Sequence, residues 1–373
     1  MKIVTVEQMQ AIERSADSAG LNFKKMMHNA GQGIENWVYT HLPVSQGVIG
    51  LVGSGNNGGD TLIALKGLSE LGIRTIAFTV KSRGNDPLIS GLISSGGGFV
   101  DISQRCFYDQ LTAALIPGVV VLDGILGTGL RLPLRGEISA RMGMICDLVE
   151  NCSGGRIIAV DCPSGLDCDT GEASEFTIHA EQTLCMAAIK QGLLKFPGQS
   201  YTGELNLIDI GIPYINQHIS EQLPEMVDPG WVLNRLPVRQ DVGHKGTFGT
   251  CLVLAGTKPF TGAAYLSGKA AYRSGCGLVN IVTSEAVHKS LSGELIEAIW
   301  TILPDLEDVN DPGWADSLQS SVASANALVV GPGWGLNHHQ EVFLQKLLQT
   351  IPKNLPTLFD ADGLKLLCKI EKW

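Results

Sequence analysis

Apolar residues recur at helical spacing through the first 45 positions: Val6, Met9 and Ile12, then Met26, Met27, Ala30, Ile34, Trp37 and Val38 at i, i+3 and i+4 intervals. Thr5 stands three residues before Gln8, a capping-box arrangement that predicts the start of the first helix. From residue 48 the pattern changes to short, continuous apolar runs. VIGLVG (48–53), IRTIAFTV (73–80), GVVVLDGIL (118–126), RIIAVD (156–161), TLCMAAI (183–189) and ELNLIDIG (204–211) predict strands. TLIALKGLSELG (61–72) predicts a helix stopped by glycine. Strands that are apolar throughout and separated by helical patterns predict a parallel sheet covered on both faces, an α/β, Rossmann-like, doubly wound domain.

The stretch from 212 to 243 carries four prolines and little periodicity, so it reads as an interdomain connection. A second α/β pattern follows. TCLVLAG (250–256), LVNIVT (278–283) and ALVVGPGWG (327–335) predict strands, GAAYLSGKAAYRSG (262–275) a helix, and PTLFDADGLKLL (356–367) a further element. The organisation expected is one domain over 1–220, a connecting segment over 221–243, and a second domain over 244–373.

Composition narrows the function classes. A hydrophobic share of 44% with 17% charged residues is enough for sizeable cores and excludes a disordered chain. The 45 glycines fall in clusters, as in tight turns and ligand loops, and without a three-residue period. Twenty-seven basic against 37 acidic side chains give a formal charge of −10, which argues against a nucleic-acid surface. No run reaches the roughly 18 apolar residues of a membrane span, and the polar start MKIVTVEQMQAIERSADSAG lacks the apolar core of a signal peptide. Nine scattered cysteines contain no C-x-x-C pair, so neither zinc nor a disulfide framework is indicated. Cys162 and Cys185 read as buried, reduced thiols of a cytoplasmic protein.

The chemistry gathers at strand ends. Gly53, Gly55 and Gly58 form a G-x-G-x-x-G between a strand and a helix, the context of a dinucleotide fingerprint. The acid expected about 20 residues on is missing, and that strand runs instead into Lys81 and Arg83. Asp60 would crowd a pyrophosphate bound in the usual way, unless it simply caps the helix. Asp123, Asp161 and Lys190 each end an apolar run beside this oxygen-rich loop. Three such residues predict one shared site where ligands meet the carboxyl ends of a parallel sheet. Asp161 and Lys190 are then an acid/base pair, with burial poising one of them for proton transfer. Asn57, Asp123 and Ser164 offer oxygen donors suited to an alkali or alkaline-earth cation. The N–H groups of Gly127–Gly129 suit a phosphate.

Four segments, GSGNNGGD, VVLDGILGTGL, AVDCPSGLD and TLCMAAIKQGLLKFPG, resemble in order and spacing the NAD(P)H-hydrate epimerase domain, and MHNAG is similar to that family's helical LMENAG. The resemblance implies epimerisation at C6 of NADH or NADPH hydrated at the nicotinamide 5,6 bond (NAD(P)HX). It implies that Asn56, Asn57, Gly58, Gly59 and Asp60, with Gly127, Thr128, Gly129, Leu130, Arg131, Leu132 and Pro133, contact the hydrate. It further implies that Asp161 binds it and transfers protons with Lys190, that Asn57, Asp123 and Ser164 hold K⁺, and that the protein self-associates. His28 departs from the family's usual glutamate.

HKGTFGTCLVLAGTKPFTGAAYLSGKAAYRSGCGLV (244–279), VVGPGWG (329–335) and LFDADGL (358–364) resemble the ribokinase-like, ADP- or ATP-dependent NAD(P)H-hydrate dehydratase. The likeness implies that Ala263 and Gly333 border the hydrate pocket, although small residues also serve wherever backbones pack closely. The family's G-T-G-D turn, with its catalytic aspartate, does not occur among the 373 residues, so the resemblance implies only the first half of a ribokinase-like domain over 244–373, and no dehydratase activity is expected of this chain. Two other readings stand beside this one: a nicotinamide-dependent dehydrogenase resting on the glycine fingerprint, and a non-catalytic nucleotide-binding module.

Overall fold

The computed structural model describes residues 1–152, 154–212, 223–239, 241–303 and 312–371, and the chain divides into two compact units, Met1–Arg235 and Leu236–Trp373. The first unit opens with β1 (Ile3–Val4), α1 (Val6–Ser18) and α2 (Phe23–His41). The Thr5 hydroxyl accepts from the Gln8 N–H at 3.1 Å and the Gln8 side chain accepts from the Thr5 N–H at 2.8 Å, closing the expected capping box.

There follow β2 (Val48–Val52), α3 (Asn56–Glu70), β3 (Thr75–Thr79), α4 (Pro87–Ser94), β4 (Gly98–Asp101), α5 (Phe107–Ala114), β5 (Val120–Gly124), α6 (Gly136–Glu150), β6 (Arg156–Val160), β7 (Gln182–Met186), β8 (Ile189–Lys190) and β9 (Glu204–Ile208). Seven of these strands form one parallel sheet in the order β4-β3-β2-β5-β6-β7-β9. The order reverses between β2 and β5, and this switch point leaves a crevice beyond their carboxyl ends.

Alternate residues of each strand serve opposite faces, as the pleat requires. Val48 and Val52 pack with Ile34, Val38, Leu62 and Leu65 of α2 and α3, while Ile49 and Leu51 pack with Phe107, Leu111, Met142 and Ile145 of α5 and α6. Sequence periodicity missed α4, β4, α5 and α6, which are short or only weakly amphipathic.

The run read as a single strand over 183–189 is two. The sheet strand β7 ends at Met186, Ala187 turns the chain at φ 59°, and β8 then pairs with β1 in a separate two-stranded ladder. Part of the connecting segment is also tied to this unit. The Ile3 N–H donates to Pro224 O, the Met226 N–H to Met1 O, and Lys2 pairs with Glu225. Residues 213–222, inside the region read as connecting, lie outside the described residues.

In the second unit β10 (Thr250–Leu254), β11 (Leu278–Ser284), β12 (Ile299–Leu303), β13 (Ala327–Val330) and β14 (Thr357–Phe359) form a parallel sheet ordered β12-β11-β10-β13-β14. Its order reverses at β10/β13, the counterpart of β2/β5. Among the described residues no helix is long and apolar enough to cross a membrane. All nine cysteines are free, with Cys162 and Cys185 buried, and burial pushes the Cys185 thiol up to about 12.

Candidate active site

The glycine-rich segment after β2 is shaped by contacts the motif does not announce. A Cβ on Gly53 would lie 1.7 Å from Ile125 O, so the loops after β2 and β5 abut backbone to backbone. Arg83 donates from Nη1 to Gly53 O at 2.6 Å and Gly55 O at 3.1 Å, and from Nε to Asp86 at 2.7 Å. Arg83 therefore clamps the loop from the next strand's end instead of addressing a ribose.

Gly55 is the N-cap of α3, so Asn56–Asp60 form its first turn and Asp60 is not a cap. Gly58 and Gly59 border no cavity described here. Their missing side chains admit Gly53 O and Met27 Sδ, which a Cβ would approach to 2.1 and 2.8 Å.

Two cavities open at the switch point. One of about 810 Å³ is bordered by Asn56, Asn57 and the whole run Gly127–Pro133, with Arg131 and Arg135 supplying positive charge. The other, of about 440 Å³, is bordered by Gln10, Glu13, Lys24, Asn56, Asn57, Asp60, Thr128 and Asp161. Gln10, Asn56, Asn57 and Thr128 belong to both walls, so the cavities adjoin. Of the residues assigned to the hydrate in the first unit, all but Gly58 and Gly59 border this space. Gln10 and Glu13, from the polar side of α1, were not legible beforehand: polar side chains on an amphipathic helix ordinarily face water.

Asp161 follows β6 with φ 66°, a left-handed conformation that costs roughly 1–3 kcal/mol for a residue other than glycine. The turn brings Oδ1 to the Met186 N–H at 2.9 Å and to Lys190 Nζ, which also donates to Met186 O at 3.2 Å. Lys190 is 1% exposed. Burial alone would favour the neutral amine, but the adjacent Asp161 carboxylate overrides it and holds the ammonium above the ordinary lysine range. At Lys190 the effect of burial, expected to poise one of the pair for proton transfer, is thus outweighed by the ion pair. Lys190 also lies four residues past the end of β7, reaching back to Asp161 from the β8 turn.

Asp123 sits within β5, 0% exposed, and accepts from the Ser164 N–H at 2.7 Å and the Ser164 hydroxyl at 2.5 Å. Burial pushes its carboxyl up to about 6, against these hydrogen bonds, and it has no ion-pair partner among the described residues. Asn57 donates from Nδ2 to Val160 O at 2.6 Å, with its Oδ1 turned to Gly127, where a Cβ would approach to 2.6 Å. Among the described residues no three His, Cys, Asp or Glu side chains form a metal-binding group. The cluster of Asn57, Asp123 and Ser164, oxygen-rich and short of one positive charge, fits a monovalent hard cation.

Asp60 is 6% exposed and makes no hydrogen bond to a described residue. Burial pushes its carboxyl well up, Asp161 and Glu13 add to the shift, and Lys190 opposes it. An acid that holds its proton more tightly when folded makes stability fall as pH rises from the unfolded carboxylate value through the folded one. Asp60→Asn removes that loss. The variant is expected to melt above the wild type near about pH 8 and level with it below about pH 4, as checked by melting curves across that range.

In the second unit Ala263 and Gly333 meet at the β10/β13 switch point. Gly333 has φ 61°, and a Cβ on it would lie 2.6 Å from Ala263 Cβ. Neither borders the adjacent cavity of about 340 Å³, whose wall includes Gly256, Thr257, Lys258, Trp334 and Gln340.

Two families match the chain in series: the YjeF-related protein N-terminus over residues 23–192 and NAD(P)H-hydrate dehydratase over 251–372. The bifunctional NAD(P)H-hydrate repair enzyme of Salinibacter ruber is 31% identical, with 98% of this chain and 70% of that protein covered. Its Escherichia coli namesake is 29% identical over 95% of this chain and 64% of its own length. Among solved structures, the ADP/ATP-dependent NAD(P)H-hydrate dehydratase of Bacillus subtilis, co-crystallised with ATP and Mg²⁺, is 30% identical over 36% of this chain and 45% of its own, with a TM-score of 0.29. The order of the two families and the near-complete alignment give one conclusion: the chain belongs to the bifunctional NAD(P)H-hydrate repair enzymes.

Proposed function

We propose that the first unit interconverts the R and S epimers of NADHX and NADPHX at C6, and that Asp161 and Lys190 are its proton-transfer pair. The observation that carries this reading is a buried carboxylate–ammonium pair, set at a strained strand end, whose Asp161 lies on the wall of a cavity that adjoins the Gly127–Pro133 loop. Inverting C6 requires a bond at that carbon to break and to re-form on the other face, with one proton given and one taken. Asp161, on the cavity wall, takes or returns one proton, and Lys190, ion-paired to it, is its partner in the transfer. Asn56, Thr128 and the N–H groups of Gly127–Gly129 bind and orient the dinucleotide, and Arg131 offers charge to its phosphates.

Asn57, Asp123 and Ser164 would hold K⁺, which supplies the positive charge that buried Asp123 lacks and favours the packed form of both loops. The second unit corresponds to the ADP- or ATP-dependent dehydratase of the family; Ala263 and Gly333, which face each other outside its cavity, have less support as contacts to the S epimer. A dehydrogenase reading has less support, because Arg83 is committed to Gly53 and Gly55 and no acid stands at the ribose position.

A proton-NMR time course of the two epimers tests the proposal. Added protein is expected to collapse separate signals toward equilibrium, with replacement of K⁺ by choline slowing exchange about tenfold and Asp123→Asn removing that dependence. Absence of exchange in K⁺ buffer overturns the epimerase reading.

A further inference from the structure

Three carboxyl groups and one ammonium border the smaller cavity: Glu13 from α1, Asp60 from α3, Asp161 after β6 and Lys24 of α2, with buried Lys190 behind Asp161. Lys190 is committed to Asp161. Asp60, nine-tenths buried on the cavity wall and without a hydrogen-bond partner among the described residues, has no counter-ion. Glu13 likewise forms no ion pair among the described residues, and burial and Asp161 raise its carboxyl against the pull of Lys190. A buried carboxyl open only to a ligand cavity satisfies its hydrogen-bonding capacity when a ligand enters, and it enters that contact as a donor if it keeps its proton.

We propose that Asp60 is a second catalytic residue, the proton donor to the departing C6 hydroxyl, and that Glu13 is a positioning residue that keeps this donor protonated. The inference rests on the epimerase reading and divides the labour within it. Asp60 gives its proton to the hydroxyl oxygen, the C6–O bond breaks and water leaves. The ring-nitrogen lone pair meanwhile forms C6=N1. Water then adds to the opposite face of C6, its excess proton passes to Asp161, and the electron pair of C6=N1 returns to nitrogen. One inversion leaves Asp60 ionised and Asp161 protonated; Asp161 then releases its proton to solvent and Asp60 takes one up, which restores the starting form and balances atoms, charge and protons over the cycle. Two carboxyls whose surroundings separate their proton affinities make such an acid and base possible at one pH.

Glu13 acts through its negative charge. Close to Asp60, it disfavours a second carboxylate and so extends the protonated form to higher pH. The other charged groups facing Asp60 are Asp161, which acts in the same sense, Lys190, which acts against it, and Lys24 on the cavity wall.

The test uses the intact chain in the NMR exchange assay, with NADHX affinity measured separately. Asp60→Asn is expected to slow exchange at least about 100-fold while leaving affinity within about threefold. Glu13→Gln is expected to move the alkaline limb of the rate profile to lower pH, a readout that simple loosening of α1 does not produce. In H₂¹⁸O, the wild type is expected to take up one solvent oxygen per inversion. Asp60→Asn exchanging within about threefold of wild type, an unmoved profile for Glu13→Gln, or retention of the original oxygen each overturns the proposal while leaving wild-type epimerisation standing. Wild-type protein that exchanges nothing overturns the epimerase reading itself.

Discussion

Lys190→Met is expected to abolish epimer exchange and to lower stability by about 3–5 kcal/mol. The loss comes from what is left behind. Lys190 is almost fully buried, and its ammonium is the charged partner of Asp161, a carboxylate itself 7% exposed. Removing the lysine leaves Asp161 to ionise in a low-dielectric pocket or to take up a proton, and either way the geometry that aims it at the cavity is lost. The double variant Asp161→Asn/Lys190→Met removes both charges together. It is expected to recover most of the stability, because replacing a buried pair by neutral groups is close to balanced, and to recover none of the activity. Urea unfolding of the wild type, both single variants and the double variant measures the coupling. A single variant Lys190→Met within about 0.5 kcal/mol of wild type contradicts the buried-pair account.

Gly53→Ala is expected to destabilise the first unit by about 3 kcal/mol or more and to weaken hydrate binding about 100-fold. The added methyl would sit 1.7 Å from Ile125 O, backbone against backbone, with no flexible side chain to yield. The loops after β2 and β5 must separate, and they carry Asn57 and the Gly127–Pro133 run. Gly55→Ala is the control. Its Cβ meets nothing within 4 Å and its φ of −90° is open to alanine, so its stability is expected to stay within about 0.5 kcal/mol of wild type. Thermal melts compare the two, and equal melting temperatures contradict the close approach.

This pair shows how far a motif is readable. Both glycines belong to the same G-x-G-x-x-G, and nothing local separates them. The fingerprint located the switch-point crevice and the strand–turn–helix context correctly, because those follow from apolar runs and turn residues within a few positions of each other. It did not reveal that Arg83, thirty positions away, is the clamp on that loop.

The parallel first sheet, the α/β pattern of the second unit and the convergence of Asn57, Asp123 and Asp161 were written in patterns of short range: continuous apolar runs with Asp123 and Asp161 at or near their ends, and Asn57 in the glycine-rich segment after β2. Burial drives such strands together whatever else the chain does, so their carboxyl ends, and the groups on them, are carried to one rim. Three matters needed long-range contacts. The β7 run breaks at Ala187, so that Lys190 turns back on Asp161 while pairing with residues at the very start of the chain. The polar side of α1 faces a cavity instead of water, which brings Glu13 to the site. Among the described residues Asp60 forms no ion pair there. A helix pattern specifies which residues share a face, but what lies opposite that face, and whether a charge placed there meets a partner, depends on elements far away in the chain.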